Sequence, residues 1–137
     1  MAQVNKISME VPSETRSIRK VSSRILEGLS SYGLDADTLL DIRLCAEEAV
    51  RNAIVHGNRS NKNLPVKINY WVEKGRLNIE VEDEGAGFNP DNVPDPRVDK
   101  HIMRESGRGV HLIRELMDKV DFNEKGNKIR MEKTLWQ

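Results

Sequence analysis

A two-layer α+β sandwich is the fold class that this sequence predicts, and three observations lead to it. Val66, Ile68, Tyr70 and Val72, then Leu77, Ile79 and Val81, fall on alternate positions, so these strands have one dry face and one wet face. Three other segments carry apolar residues at helical spacing. A sheet with one dry face needs one helical layer over it, which fits a two-layer sandwich better than a doubly wound sheet. Length is the third observation: 137 residues predict one domain, 1–137, able to bury a core without disulfides or metals.

The elements follow in order. Ile7, Met9 and Val11 alternate within 4–11 and predict a short strand ended by Pro12. Ser13 is placed to cap a first helix over roughly 13–32, carried by Ile18, Val21, Ile25, Leu26, Leu29 and Tyr32, with Gly33 as a left-handed C-terminal cap. Asp35 or Asp37 can cap the second helix, which should stop near Gly57 before the turn chemistry of NRSNKN. Residues 65–82 predict a hairpin around the EKG reversal. Beyond Phe88 the chain has Pro90, Pro94 and Pro96 and no sustained period, as in functional loops and lids. Val110, Ile113, Leu116, Met117 and Val120 predict a third helix opening at the glycines 107 and 109. The tail predicts a second hairpin around EKGN, with Ile129 and Met131 facing inward and Leu135 a further candidate.

Charge and cysteine narrow the setting. Lysine plus arginine number 22 and aspartate plus glutamate 22, so no sequence-wide field favours nucleic acid or an anionic membrane. The single cysteine, Cys45, lies in the apolar stripe of the second helix, which excludes an internal disulfide framework and fits a reducing compartment. No apolar run reaches membrane-span length and no leader pattern opens the chain, so a soluble, cytoplasmic protein is expected.

Three segments carry candidate chemistry. In DIRLCAEEAVRNAIVHG, Glu48, Asn52 and His56 fall at i, i+4 and i+8, a polar row beside the core stripe of Leu39, Ile42, Ala46, Ala49, Val50 and Ala53. An E-x-x-x-N arises by chance in very many helices, where it is purely structural. With a nucleotide between the glycine segments at 83–87 and 107–110, Asn52 can offer an amide oxygen to Mg²⁺, which takes few protein ligands and keeps waters and phosphates. Glu48 can orient or deprotonate an attacking hydroxyl, Glu47 points elsewhere as a solvent-facing or hydrogen-bonding group, and the helix dipole alone accounts for His56. Asp83, Gly85 and Gly87 end a strand, where glycines let a flat ligand approach and a carboxylate can accept from an exocyclic amine; a plain sharp turn uses the same residues. Ser106, Gly107, Arg108, Gly109 and Val110 open a helix, whose unpaired N–H groups suit phosphate, with Arg104 or Arg108 in reach; ordinary loop-to-helix geometry uses glycine there too.

Together and in this order, E-x-x-x-N at 48–52, D-x-G-x-G at 83–87 and G-R-G-V at 107–110 resemble the GHKL ATPase superfamily. Within it, Asn52 through Gly57 and Gly107 through Asp118 are similar to the stand-alone anti-sigma factor serine kinases. The resemblance implies a Bergerat α/β sandwich, with a mixed, mostly antiparallel sheet of about five strands and helices on one face. It implies ATP and Mg²⁺ as cofactors, Glu48 as catalytic base, Asn52 on Mg²⁺, Asp83 at adenine, and Gly85, Gly87, Gly107, Arg108, Gly109 and Val110 around the nucleotide. The implied reaction moves the γ-phosphoryl group to a serine of a STAS-domain anti-anti-sigma factor, which competes with a sigma factor for a homodimeric kinase. A non-catalytic nucleotide-binding module of the same fold is the alternative, and a histidine-kinase-like ATPase module a third reading. One departure is that Asn127 follows Gly126 where the family often has a phosphate-touching threonine.

Overall fold

The computed structural model of this protein describes residues 5–85 and 109–137. Along the chain lie β1 (Ile7–Pro12), α1 (Arg16–Gly28), α2 (Ala36–Asn52), β2 (Pro65–Glu73), β3 (Arg76–Glu82), α3 (109–116), β4 (Lys119–Phe122) and β5 (Lys128–Thr134). The strands form one sheet in the order β1-β2-β3-β5-β4, and all four neighbouring pairs are antiparallel. The expected mixed character is therefore absent among the described residues. Two hairpins, β2–β3 and β4–β5, are set side by side so that β5 runs against β3, and no parallel pair arises.

Alternation becomes rows across the sheet. Met9, Ile68, Val81 and Ile129 are cross-strand partners in one row, and Tyr70, Ile79, Met131 and Val120 in the next. Over these rows lie Ile18, Val21 and Ile25 of α1, Ile42, Ala46, Ala49 and Val50 of α2, and Ile113 of α3, all buried. Each fully buried side chain of this size contributes about 1.5–3 kcal/mol, so this layer contact is the main source of stability. Cys45 is buried among them, and desolvation pushes its thiol up to about 12, leaving it chemically inert. Lys74 and Gly75 both have positive φ in the β2–β3 turn, as a two-residue hairpin of matching twist requires.

The opposite sheet face is less bare than strand alternation implies. Trp71 is only 7% exposed there, because Lys6 Nζ lies 4.3 Å and Arg130 Cζ 5.3 Å from its ring centre. Glu80 beside it pairs with Lys128 at 3.6 Å. Among the described residues no helix is long and apolar enough to cross a membrane.

Several boundaries differ from the sequence-based expectation. Ser13 is not a cap: its hydroxyl donates to the Leu64 carbonyl at 2.7 Å and accepts from Asn58 Nδ2 at 2.9 Å, while the N-cap position of α1, Thr15, has no side-chain bond. The first helix stops at Gly28, where a Cβ would meet the Tyr70 hydroxyl at 2.5 Å, and continues only as a 3-10 turn, Ser30–Tyr32. Gly33 closes that turn with φ 65°, as expected, and Asp35 caps α2 by accepting from Thr38 N at 2.7 Å. Val120 lies in β4 rather than α3, since Asp118 is already tied to β5 through its N–H on Glu132 O and its carboxylate on Thr134 N.

Candidate functional site

The C-terminal half of α2 presents Glu48 and Asn52 one turn apart at the margin of the core, both partly buried. Glu48 is held by Arg51 at 2.7 Å, an i,i+3 pair. The amide of Asn52 makes no hydrogen bond among the described residues. Below Asn52 the helix widens into a π turn, Ala53–Gly57, closed by Asn58 N donating to Ala53 O at 2.8 Å. His56, at the next position of the sequence row, falls within this wider turn. Glu47 takes the hydrogen-bonding alternative: it accepts from Ser22 Oγ at 2.7 Å and pairs with Arg43 at 3.4 Å, tying α2 to α1.

Asp83 follows the last residue of β3 and is half-buried. Burial pushes its carboxyl above the ordinary value of 3.8, and the Gly85 N–H, donating to Oδ1 at 2.8 Å, opposes this only in part. The π turn and this loop touch through glycine. A Cβ on Gly57 would collide with the Asp83 carboxylate, at 2.7 Å from Oδ1, and a Cβ on Gly85 with the Gly57 peptide, at 2.8 Å from its carbonyl carbon. Such close backbone approach is what glycine permits.

Gly109, the first described residue of α3, closes the third side. A Cβ there would overlap Glu48 Oε1 and lie 2.9 Å from Glu48 Cγ and 3.0 Å from Asn52 Nδ2. Val110 beside it is half-buried. Gly87, Gly107 and Arg108, with Arg104 and Ser106, lie outside the described residues. The structure thus brings Glu48, Asn52 and Gly109 together, and sets Asp83 and Gly85 against Gly57 at the end of the same helix.

The Gly109 contact yields a separable prediction. Alanine favours a helix over glycine by up to about 1 kcal/mol, so Gly109→Ala should not weaken α3 itself. Overpacking against Glu48 and Asn52 costs about 1–3 kcal/mol. The expected result is an unchanged or modestly lowered melting temperature with nucleotide affinity reduced roughly tenfold, read by calorimetry on the same samples.

Two asparagines have positioning roles, of which Asn58 escaped the sequence reading and Asn127 stood out there only as a departure from a family threonine. Asn58 is 2% exposed; its Nδ2 donates to Ser13 Oγ at 2.9 Å and to Pro65 O at 3.0 Å, and its Oδ1 accepts from Glu84 N at 2.8 Å. Asn127 donates from Nδ2 to Asp83 O at 2.9 Å. In the sequence NRSNKN the first asparagine has only turn chemistry to signal it, since its partners lie 45 and 26 residues away. Removing its side chain strands buried donors and acceptors, each costing about 1–3 kcal/mol. Asn58→Ala is therefore expected to lower unfolding free energy by about 3 kcal/mol, measured by urea titration.

Sheet, helical layer and the meeting of these glycine- and carboxylate-bearing segments define the class, an α+β sandwich of the GHKL ATPase type. The chain belongs to the histidine kinase-like ATPase domain family, whose model matches residues 11–133. It is 30% identical over 138 residues to the serine-protein kinase RsbW of Bacillus subtilis, covering 94% of this chain and 85% of that protein. The protein of the same name from Oceanobacillus iheyensis is 27% identical over 132 residues, covering 90% and 82%. That of Staphylococcus aureus MW2 is 29% identical over 136 residues, covering 93% and 85%. In fold, the chain is similar to a crystal structure of the RsbU and RsbW domains of a Mycobacterium tuberculosis protein, with TM-score 0.65 and 16% identity. That likeness covers 96% of this chain and 32% of the other.

Proposed function

We propose that this protein is an ATP-dependent protein serine kinase of the anti-sigma type. The observation that carries the reading is the seating of Gly109, in α3, directly on Glu48 and Asn52. In this reading Gly107 and Gly109 bind phosphate beside a carboxylate able to act as base. Similarity to proteins named serine-protein kinase RsbW supports the same activity.

In this reading Asp83 accepts from the adenine amine, Gly85 and Gly87 let the ring approach the backbone, and Gly107, Arg108, Gly109 and Val110 surround the phosphates. Among the described residues no group of three or more His, Cys, Asp or Glu could hold a metal alone. The donor set fits Mg²⁺ brought with phosphate oxygens, since Asn52 offers a partly buried amide oxygen. Asn52 would hold the ion, whose chemistry is charge neutralisation on the phosphates. Glu48, one turn away, takes the proton of the attacking serine hydroxyl and keeps it oriented. The acceptor is a serine on a STAS-domain anti-anti-sigma factor, and that partner and a sigma factor compete for a homodimeric, cytoplasmic kinase. No step calls for nucleic acid or membrane.

Incubation with Mg²⁺-ATP and the cognate STAS protein tests this by mass spectrometry. Phosphoserine on the partner is the expected product. ATP binding without any phosphoserine would leave the non-catalytic module as the reading, and an acid-labile phosphohistidine would point to the histidine-kinase-like alternative.

A further inference from the structure

We infer that Asn127 is a positioning residue that fixes the Asp83 loop for reading the adenine amine, an assignment that rests on the ATP-binding reading above. β3 and β5 are paired in register as far as Glu82 and Lys128, so Asp83 and Asn127 face each other at the next rung. A hydrogen-bonded antiparallel pair exchanges two backbone bonds. One is made here: Asp83 N donates to Asn127 O at 2.9 Å. The reciprocal bond is not available, because Asn127 N is turned into the hairpin and donates to Asn123 Oδ1 at 3.1 Å. The same oxygen accepts from Gly126 N at 2.9 Å and Lys128 N at 3.2 Å, so it shapes the whole turn.

The side chain of Asn127 completes the rung in place of its backbone. Its Nδ2 donates to Asp83 O at 2.9 Å, and its Oδ1 accepts from Asn123 Nδ2 at 2.8 Å. These orientations are chemically forced. A carbonyl only accepts, so an amide nitrogen must face Asp83, and three N–H donors around Asn123 fix its amide likewise. On the far side Asn58 Oδ1 accepts from Glu84 N, and Gly85 N donates back to Asp83 Oδ1. The backbone around Asp83 is thus satisfied by the protein alone, and the carboxylate is aimed before any nucleotide arrives. Asn127 is the one side chain in this bracket that reaches across from another hairpin. Its place as a departure from the threonine pattern gains a physical account: its amide serves the base-reading end of the site, not the phosphates.

The test compares ATP with inosine triphosphate, which has a carbonyl in place of the adenine amine, by calorimetry with Mg²⁺. Asn127→Ala is expected to weaken ATP binding about tenfold and to leave inosine triphosphate within about twofold, so discrimination collapses. Asn127→Leu, which keeps the volume, should do the same and guards against a poorly folded alanine variant. Combined with Asp83→Asn, either change should add no further loss. Equal weakening of both nucleotides, the mark of a phosphate contact or of general loosening, would overturn the assignment, and so would no weakening of either. A wild-type protein that binds both nucleotides equally would instead overturn the adenine role of Asp83, and this assignment with it.

Discussion

Asp83→Asn is expected to weaken ATP binding by roughly 5- to 150-fold while making the nucleotide-free protein more stable. The first effect follows from donor and acceptor identity. An adenine amine donates and Gly85 N donates too, but asparagine has only one acceptor oxygen. Turned toward Gly85 N it presents NH₂ to the ligand, and turned toward the ligand it presents NH₂ to Gly85 N, leaving one buried donor unpaired at a cost of about 1–3 kcal/mol. The second effect follows from burial, which raises the Asp83 carboxyl above 3.8. A folded-state pKa above the unfolded one means that the native protein holds this proton more tightly. The associated stability is present below the unfolded value and is lost as pH rises through the folded one. At neutral pH the wild type bears the full desolvation of the carboxylate, and the amide does not. Thermal melts should show the variant ahead near pH 7 and the two converging as pH falls toward 3.8. Calorimetry showing unaltered ATP affinity would remove Asp83 from the adenine site.

Most of the fold was legible because its signals are local. The hairpin expected at 65–82 is β2 and β3, Pro65–Glu73 and Arg76–Glu82, since alternation fixes which residues face the helices and the turn glycine fixes register. The core stripe of α2 was readable for the same reason, as Ile42, Ala46, Ala49, Val50 and Ala53 are all buried, while Leu39 at its N-terminal end is only half-buried. The failures share one cause, a partner distant in sequence. Ser13 looks like a cap until Leu64 and Asn58 claim its hydroxyl. The close approach of α1 to the Tyr70 ring at Gly28 likewise involves a residue of a distant strand. The π turn at Ala53–Gly57 has no periodic signature.

The candidate site divides in the same way. Residue types at fixed spacing pointed to Glu48, Asn52 and Asp83, and the structure places Gly109 and Gly57 against them. The residues that hold these in place could not be read, because an asparagine in a turn has the same sequence signal whether it faces solvent or braces a site. Asn58 and Asn127 differ from the other turn asparagines only in what the fold brings to them.

Glu48→Gln is expected to lower the rate of phosphoryl transfer to serine by about 10²- to 10⁴-fold, with ATP affinity nearly unchanged. The competing account is structural, for Glu48 already has a partner in Arg51 at 2.7 Å. Magnitude separates the two. The arginine is 48% exposed and the pair is i,i+3 on a helix surface, so its loss is worth only a few tenths of a kcal/mol, within about twofold in any rate. Glutamine also keeps an acceptor for Arg51 and the packing under Gly109, and it removes only the ability to take a proton. A structural Glu48 therefore predicts nearly wild-type transfer in the glutamine variant, and a base predicts its collapse. Arg51→Ala provides the converse arm: it frees the carboxylate without removing it, so transfer should persist at no less than about half the wild-type rate. Phosphoserine formed at wild-type rate by Glu48→Gln would rule out the base and return the helix to a binding role.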